Sequence, residues 1–180
     1  DSGVQKEFLQ KIKEENANEY IVSYGDRIIL DSRRNIYLDV LFSGNGFELN
    51  NANESSLVTR LVYGNNSFLL TGDSPKKIEK YISYLASLDK FKLKSDILKV
   101  GHHGSDTSTS EMFIDSVKPE YSIISAGLNN SYGHPHKEVI DLLGEKNIKI
   151  LNTSHRGSII FESNGIKLTP PVTSLASDVT

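Results

Sequence analysis

The sequence has 180 residues, 37% hydrophobic and 24% charged, with 13 Gly and 5 Pro. That is the size and composition of one ordinary globular domain, and it excludes disordered, collagen-like and coiled-coil chains. Lys plus Arg number 20 against 23 Asp plus Glu, a net charge of -3, so any nucleic-acid role has to come from a local site rather than from bulk positive charge. Cysteine is absent, which excludes disulfides and thiolate metal sites and leaves His and carboxylate as metal donors.

The spacing of Val4, Phe8, Leu9 and Ile12 predicts an amphipathic helix over Val4 to Glu15. Short strands follow at Tyr20 to Ser23, Ile28 to Leu30 and Ile36 to Phe42, the last with period-two alternation. The Gly-, Asn- and Ser-rich stretch from Ser43 to Ser55 reads as a surface loop. Leu57 to Tyr63 and Phe68 to Thr71 form a hairpin across Gly64, Asn65 and Asn66. Ser74 and Pro75 then supply an N-cap and a first-turn proline for a helix through Ile78, Tyr81, Ile82, Leu85 and Leu88. Lys76, Lys77 and Lys80 lie on its polar side, most simply a solvated face, with phosphate contact as the alternative.

A strand is predicted over Asp96 to Val100, and Ser108 with Glu111 has capping-box spacing for a helix closed by Pro119. A strand from Tyr121 to Ala126, a helix opened by Pro135, and strands at Ile148 to Leu151 and Ser158 to Phe161 complete the pattern, with Asn164 and Gly165 as a hairpin turn. Successive β-α-β units predict an α/β fold: a mixed sheet with helices on one face. The domain is expected to occupy residues 1–168, leaving 169–180 as a tail without periodicity. No apolar run approaches the ~18 residues of a membrane span, and DSGVQKEFLQ has no signal-peptide pattern, so this segment is expected to make no membrane contact itself.

Four of the five histidines fall just beyond two predicted strands: His102 and His103 in VGHHGSD, His134 and His136 in YGHPH. Asp73, in LLTGD, holds the equivalent place after Phe68 to Thr71. In open α/β sheets ligands bind outside the carboxyl ends of strands, so these three loops can converge. Neutral imidazoles with a carboxylate suit Zn, Mn or Fe. Read as extended chain, His102 and His103 point to opposite sides, so one is a ligand and the other a substrate contact or hydrogen-bonder, with the choice open. A GD after a strand is also a common turn, and a pair of histidines can simply face solvent; three polar motifs at equivalent strand ends favour a metal site. His155 reads as a surface turn residue.

The segments NESSLV (Asn53 to Val58), LLTGD (Leu69 to Asp73), DILKVGHHGSDTS (Asp96 to Ser108), KPEYSIISAG (Lys118 to Gly127) and NNSYGHPHKEV (Asn129 to Val139) resemble the metallo-β-lactamase superfamily, in particular the C-terminal nuclease-like domain of ComEC-type DNA-uptake proteins. The resemblance covers most of residues 20–168. It implies the αβ/βα sandwich of that superfamily and a metal-dependent hydrolase holding two divalent ions, Zn or Mn. The substrate it implies is DNA or another phosphodiester, here the strand that is not imported.

It further implies a bacterial, extracytoplasmic domain of a cell-membrane protein. Asp73 matches the metal-bridging carboxylate, His102 or His103 a later ligand, and His134 a ligand or a phosphate-stabilising imidazole, with His134 and His102 as candidate catalytic groups. Asn53, Ser55, Ser105 and His136 are the expected substrate-lining residues. The superfamily's first motif, His-x-His-x-Asp-His, has no counterpart, since no histidine precedes His102. The chain is therefore expected to be the second half of that fold, weakly active or inactive alone, with the missing N-terminal half as a partner. Other hydrolases of the superfamily, of phosphocholine esterase or lactonase type, and a non-catalytic module that self-associates through an exposed sheet are the alternative functions.

Overall fold

A computed structural model describes residues 3–173. Its centre is a seven-stranded mixed sheet: β1 (Arg27–Asp31), β2 (Ile36–Phe42), β3 (Val58–Tyr63), β4 (Asn66–Leu70), β5 (Ile97–Lys99), β6 (Tyr121–Ile124) and β7 (Lys149–Asn152), side by side in chain order. β1 to β4 form an antiparallel meander and β4 to β7 run parallel. The parallel strands need crossovers, which are α2 (Lys76–Ser87), α3 (Glu111–Val117) and α4 (Lys137–Glu145). Those helices bury Ile78, Ile82, Phe113, Ile114, Val117, Val139 and Leu143 against Leu69, Leu98 and Ile124 of one sheet face.

Among the described residues no helix packs on the other face. There the register lines up Ile28, Leu38, Leu61, Phe68, Ile97 and Tyr121 in one apolar row across six strands. Leu38, Leu61, Phe68 and Tyr121 remain half-buried and Ile28 exposed. Residues from 159 onward cover part of this face at the Tyr121 end, where Phe161 meets Tyr121 edge-on with ring centres 5.3 Å apart. β8 (Ile159–Ile160) pairs there with β9 (Val172–Thr173), so the first part of the expected tail from 169 is tied back by a short ladder. Residues 174–180 lie outside the described residues.

Several local expectations are corrected. Residues Tyr20 to Ser23 form no strand; Gly25 donates its N–H to the Val40 carbonyl at 3.0 Å as the chain enters the sheet. The first helix exists as α1 (Gly3–Glu14), but Val4, Phe8 and Leu9 are 77%, 63% and 40% exposed, so its apolar stripe covers no core. Ser74 makes no cap, and Pro75 occupies the N-cap position of α2. The Ser108–Glu111 capping box does not form: Ser108 Oγ donates to the carbonyls of Gly101 (2.8 Å) and Ser105 (3.0 Å), and Ser110 precedes α3. Lys77 is paired rather than simply solvated, reaching Glu54 at 2.9 Å. His155 sits in a one-turn helix, α5 (Thr153–Arg156). None of the helices is long and apolar enough to cross a membrane, among the described residues.

Candidate active site: a histidine rim at the carboxyl ends of the parallel strands

Asp73, His102 and His103, and His134 and His136 follow β4, β5 and β6 in turn, and the parallel arrangement brings the three loops to one end of the sheet. Backbone bonds tie them together. His102 N–H donates to the Gly72 carbonyl at 3.1 Å, and His136 N–H to the Gly104 carbonyl at 2.9 Å. Gly104 has φ +84°, and a Cβ on it would lie 2.6 Å from Pro135 Cβ, so only glycine lets the two histidine loops touch.

The segment from Gly101 to Gly104 is a 3-10 turn with left-handed backbone, not an extended chain: His102 has φ 47° and ψ 44°, His103 φ 56° and ψ 19°. The premise that the two rings point to opposite sides is therefore overturned. Both flank His134, with ring centres 5.6 Å from it for His102 and 6.4 Å for His103. Each left-handed non-glycine residue costs about 1–3 kcal/mol, and such strain gathers where function demands a particular side-chain placement.

The two rings are held differently. His103 Nδ1 lies 2.7 Å from the Ser125 carbonyl, a pure acceptor, so Nδ1 carries the proton and the Nε2 lone pair faces Asp73 Oδ1 at 3.8 Å. A histidine whose Nδ1–H is anchored on a carbonyl is the arrangement that orients an imidazole toward a metal. His102 Nδ1 contacts Thr107 Oγ1 at 3.1 Å, while its Nε2 lies 3.5 Å from the Asn53 side-chain amide. The neutral tautomer with Nδ1–H donating to Thr107 leaves Nε2 facing that amide, consistent with both contacts.

His134 is clamped through its backbone, donating to Asn130 Oδ1 at 2.9 Å and accepting from Asn130 Nδ2 at 2.6 Å. Burial, reinforced by repulsion from His136, His102 and His103 and opposed by Asp106, pushes its pKa below the ordinary histidine value, so the ring stays neutral near pH 7. His136 precedes α4 and accepts the Asp106 N–H on Nδ1 at 3.0 Å, so it braces two loops and cannot also donate from that nitrogen to the Asp106 carboxylate 3.2 Å away. Lys99, at the end of β5, donates to the Val100 carbonyl at 2.9 Å; burial lowers its pKa while the Asp73 charge opposes this.

The expected lining residues divide. Asn53 is brought to His102 by the loop after β2, which is anchored by the Lys77–Glu54 pair and by Phe47 packed at an angle against Phe42 and edge-on to Tyr81. Ser55 spends its hydroxyl on the Ala52 carbonyl. The neighbouring Ser56 accepts the Asp73 N–H at 3.1 Å. Ser105 is buried behind His102, 3.0 Å from the Thr107 hydroxyl. Sequence reasoning missed Ser56, Thr107, Ser125, Asn130 and Tyr132. It also missed Glu79, 1% exposed, whose carboxylate accepts the N–H groups of Thr109 (2.5 Å) and Ser110 (2.7 Å) and so holds the downstream end of the His102 loop.

His103, Asn130, Tyr132 and His134 open onto a cleft of ≈ 470 Å³ floored by Ser125 and Thr153. Among the described residues no group of three or more His, Asp or Glu side chains is arranged to hold a metal ion. The donor chemistry of Asp73 with His103 fits a divalent ion, but as a pair it supplies part of a coordination sphere.

No protein-family model matches the chain. It is 45% identical over 107 residues to ComE operon protein 3 of Bacillus subtilis, covering 59% of this chain and 13% of that protein. It is 38% identical over 111 residues to competence protein ComA of Neisseria gonorrhoeae, covering 61% and 15%, and 38% identical over 107 residues to recombination protein 2 of Haemophilus influenzae, covering 59% and 13%. Among solved structures, a metal-dependent hydrolase of Parabacteroides distasonis aligns with TM-score 0.48 at 12% identity, over 81% of this chain and 61% of that one. The matched region is thus a small part of each curated relative. By sequence, the chain is similar to one segment of larger bacterial proteins of competence and recombination.

Proposed function

We propose that this chain supplies the later half of a metal-dependent phosphodiesterase centre, a DNase of bacterial DNA uptake, acting on the strand that is not imported and lying in an extracytoplasmic part of a larger membrane protein. The observation that carries the reading is His103, its Nδ1 proton held by Ser125 and its Nε2 lone pair turned to Asp73. The similarity to competence proteins supports the substrate. Asp73 and His103 are the donors for an ion, and a bound divalent ion supplies Lewis acidity and neutralises developing phosphate charge. Further ligands come from an upstream half of the domain packed over the open part of the apolar row, from Ile28 to Phe68.

The chain's own residues position the phosphodiester. Asn53 Nδ2, beside His102, can donate to a phosphate oxygen. His134, kept neutral, is able to accept a proton at the edge of the rim. Ser56 and Ser125 fix Asp73 and His103 from behind. The test is a titration of Mn or Zn into the wild-type chain, Asp73→Ala and His103→Ala, followed by assay on single- and double-stranded DNA with and without the upstream segment. Weaker metal binding in both variants and cleavage that rises with the upstream segment are expected. Metal affinity identical in all three proteins, or no gain from the added segment, refutes the assignment.

The same half-exposed apolar row supports a second reading, a module that associates with itself through the sheet. A concentration-dependent dimer lost in Leu61→Lys is its signature.

A further inference from the structure

The largest exposed aromatic at the rim has no part in the chemistry above. Tyr132 is 76% exposed, yet its ring is not free-floating: it lies nearly parallel to His134, 21° between planes and 5.7 Å between centres. His134 in turn lies nearly parallel to His103, at 17° and 6.4 Å. The three rings form an offset series running outward from the Asp73 side, within the roughly 4.5–7 Å range of aromatic pairs. The inner members are fixed, His134 by Asn130 and His103 by Ser125. The outer face of the Tyr132 ring is therefore open while its inner face continues the ring series.

From this geometry we infer that Tyr132 is a stacking shelf for an unpaired nucleobase, placed so that the adjoining phosphate reaches the histidine rim. This rests on the reading of DNA as substrate and adds the form in which it binds. The cleft beside the shelf is lined by Ser125, Ala126, Gly127, Asn130 and Thr153 with no Lys or Arg, so it offers no positive charge for gripping a duplex. In a duplex each base face is covered by its neighbours, so a shelf of this kind selects single strands or splayed ends. Stacking on one aromatic ring is tolerant of base identity, so no sequence preference follows.

The experiment uses the full chain, freed of metal by chelation so that nothing is cleaved, and a short single-stranded oligonucleotide bearing 2-aminopurine, whose fluorescence falls on stacking. Wild type is expected to quench the probe, and Tyr132→Ala to bind about 5- to 150-fold more weakly. Tyr132→Phe should retain the quench while Tyr132→Leu, apolar but without a π face, should not. A duplex of the same sequence should bind more weakly than the single strand. Binding by Tyr132→Ala within twofold of wild type, rescue by leucine equal to that by phenylalanine, or absence of quench by wild type overturns the inference. If Tyr132→Ala fails to fold, the phenylalanine and leucine pair decides alone. Quenching without metal-dependent cleavage even after the upstream segment is added removes the hydrolytic reading and leaves the shelf standing; cleavage with that segment present but unaffected by Tyr132→Leu removes the shelf and leaves the hydrolytic reading.

Discussion

Replacing Glu79 by alanine removes the acceptor for two backbone N–H groups, those of Thr109 and Ser110, at a place where water cannot substitute because Glu79 is 1% exposed. Leaving a buried donor unpaired costs about 1–3 kcal/mol, so the pair is expected to cost about 2–6 kcal/mol, a large share of a domain stability of about 5–15 kcal/mol. Glutamine keeps one acceptor oxygen but turns an NH2 toward the other donor, so Glu79→Gln should lose about 1–3 kcal/mol. Burial raises the Glu79 pKa above the ordinary carboxylate range, against the lowering effect of the Ser110 and Thr109 N–H groups.

The folded state therefore holds this proton more tightly than the unfolded chain. The stabilisation is complete at pH below the ordinary carboxylate range and is lost as pH rises through the elevated midpoint. Urea unfolding of wild type and Glu79→Gln across that window measures both effects: wild-type stability should fall relative to the variant as pH rises. Hydrogen exchange at the Thr109 and Ser110 amides should accelerate in Glu79→Ala. An alanine variant within 0.5 kcal/mol of wild type on the scale of ordinary surface substitutions, with both amides still protected, refutes the reasoning.

Gly104→Ala brings a Cβ to 2.6 Å from Pro135 at φ +84°. It should destabilise the chain by about 1–3 kcal/mol from backbone strain alone and shift the His136 ring resonances; an unchanged melting temperature would sink that expectation. For His134, whose pKa is lowered first by burial and then by its histidine neighbours, the ring in metal-free protein should titrate by NMR below the ordinary histidine value. His136→Gln should raise that midpoint, and a midpoint that does not move excludes the mutual repulsion. The sign is that of a depressed base: the folded state loses stability as pH falls through the His134 midpoint.

Much of this architecture was legible because period and punctuation agree. Ile36 to Phe42 alternates and is a strand over that range, and Gly64 turns the β3–β4 hairpin with φ 56°. The convergence of Asp73, His102, His103 and His134 followed from a single rule about the carboxyl ends of parallel strands. Capping was misread because the Ser108 hydroxyl is taken by the Gly101 and Ser105 carbonyls, while the turn ahead of α3 is held by Glu79, thirty residues upstream of Thr109. The orientation of the two adjacent histidines was misread because the reading assumed extended backbone, and a left-handed run at two non-glycine residues has no one-dimensional signature. The Tyr20 to Ser23 segment forms no strand although β1 leaves its outer edge open, so period-two propensity in four residues did not suffice. Tyr132 was passed over because an aromatic in a Gly- and Asn-rich loop carries no period at all.

That left-handed pair also separates durability from activity in this chain. At φ 47° and 56° the backbone of residues 102 and 103 is one glycine adopts freely, so selection for stability alone would have emptied both positions of their side chains. His102→Gly is expected to raise the unfolding free energy wherever the strain relieved exceeds the contact with Thr107, while removing one wall of the rim. A library sorted only for thermal resistance should accumulate glycine at these two sites and lose the rim's imidazoles as it does so.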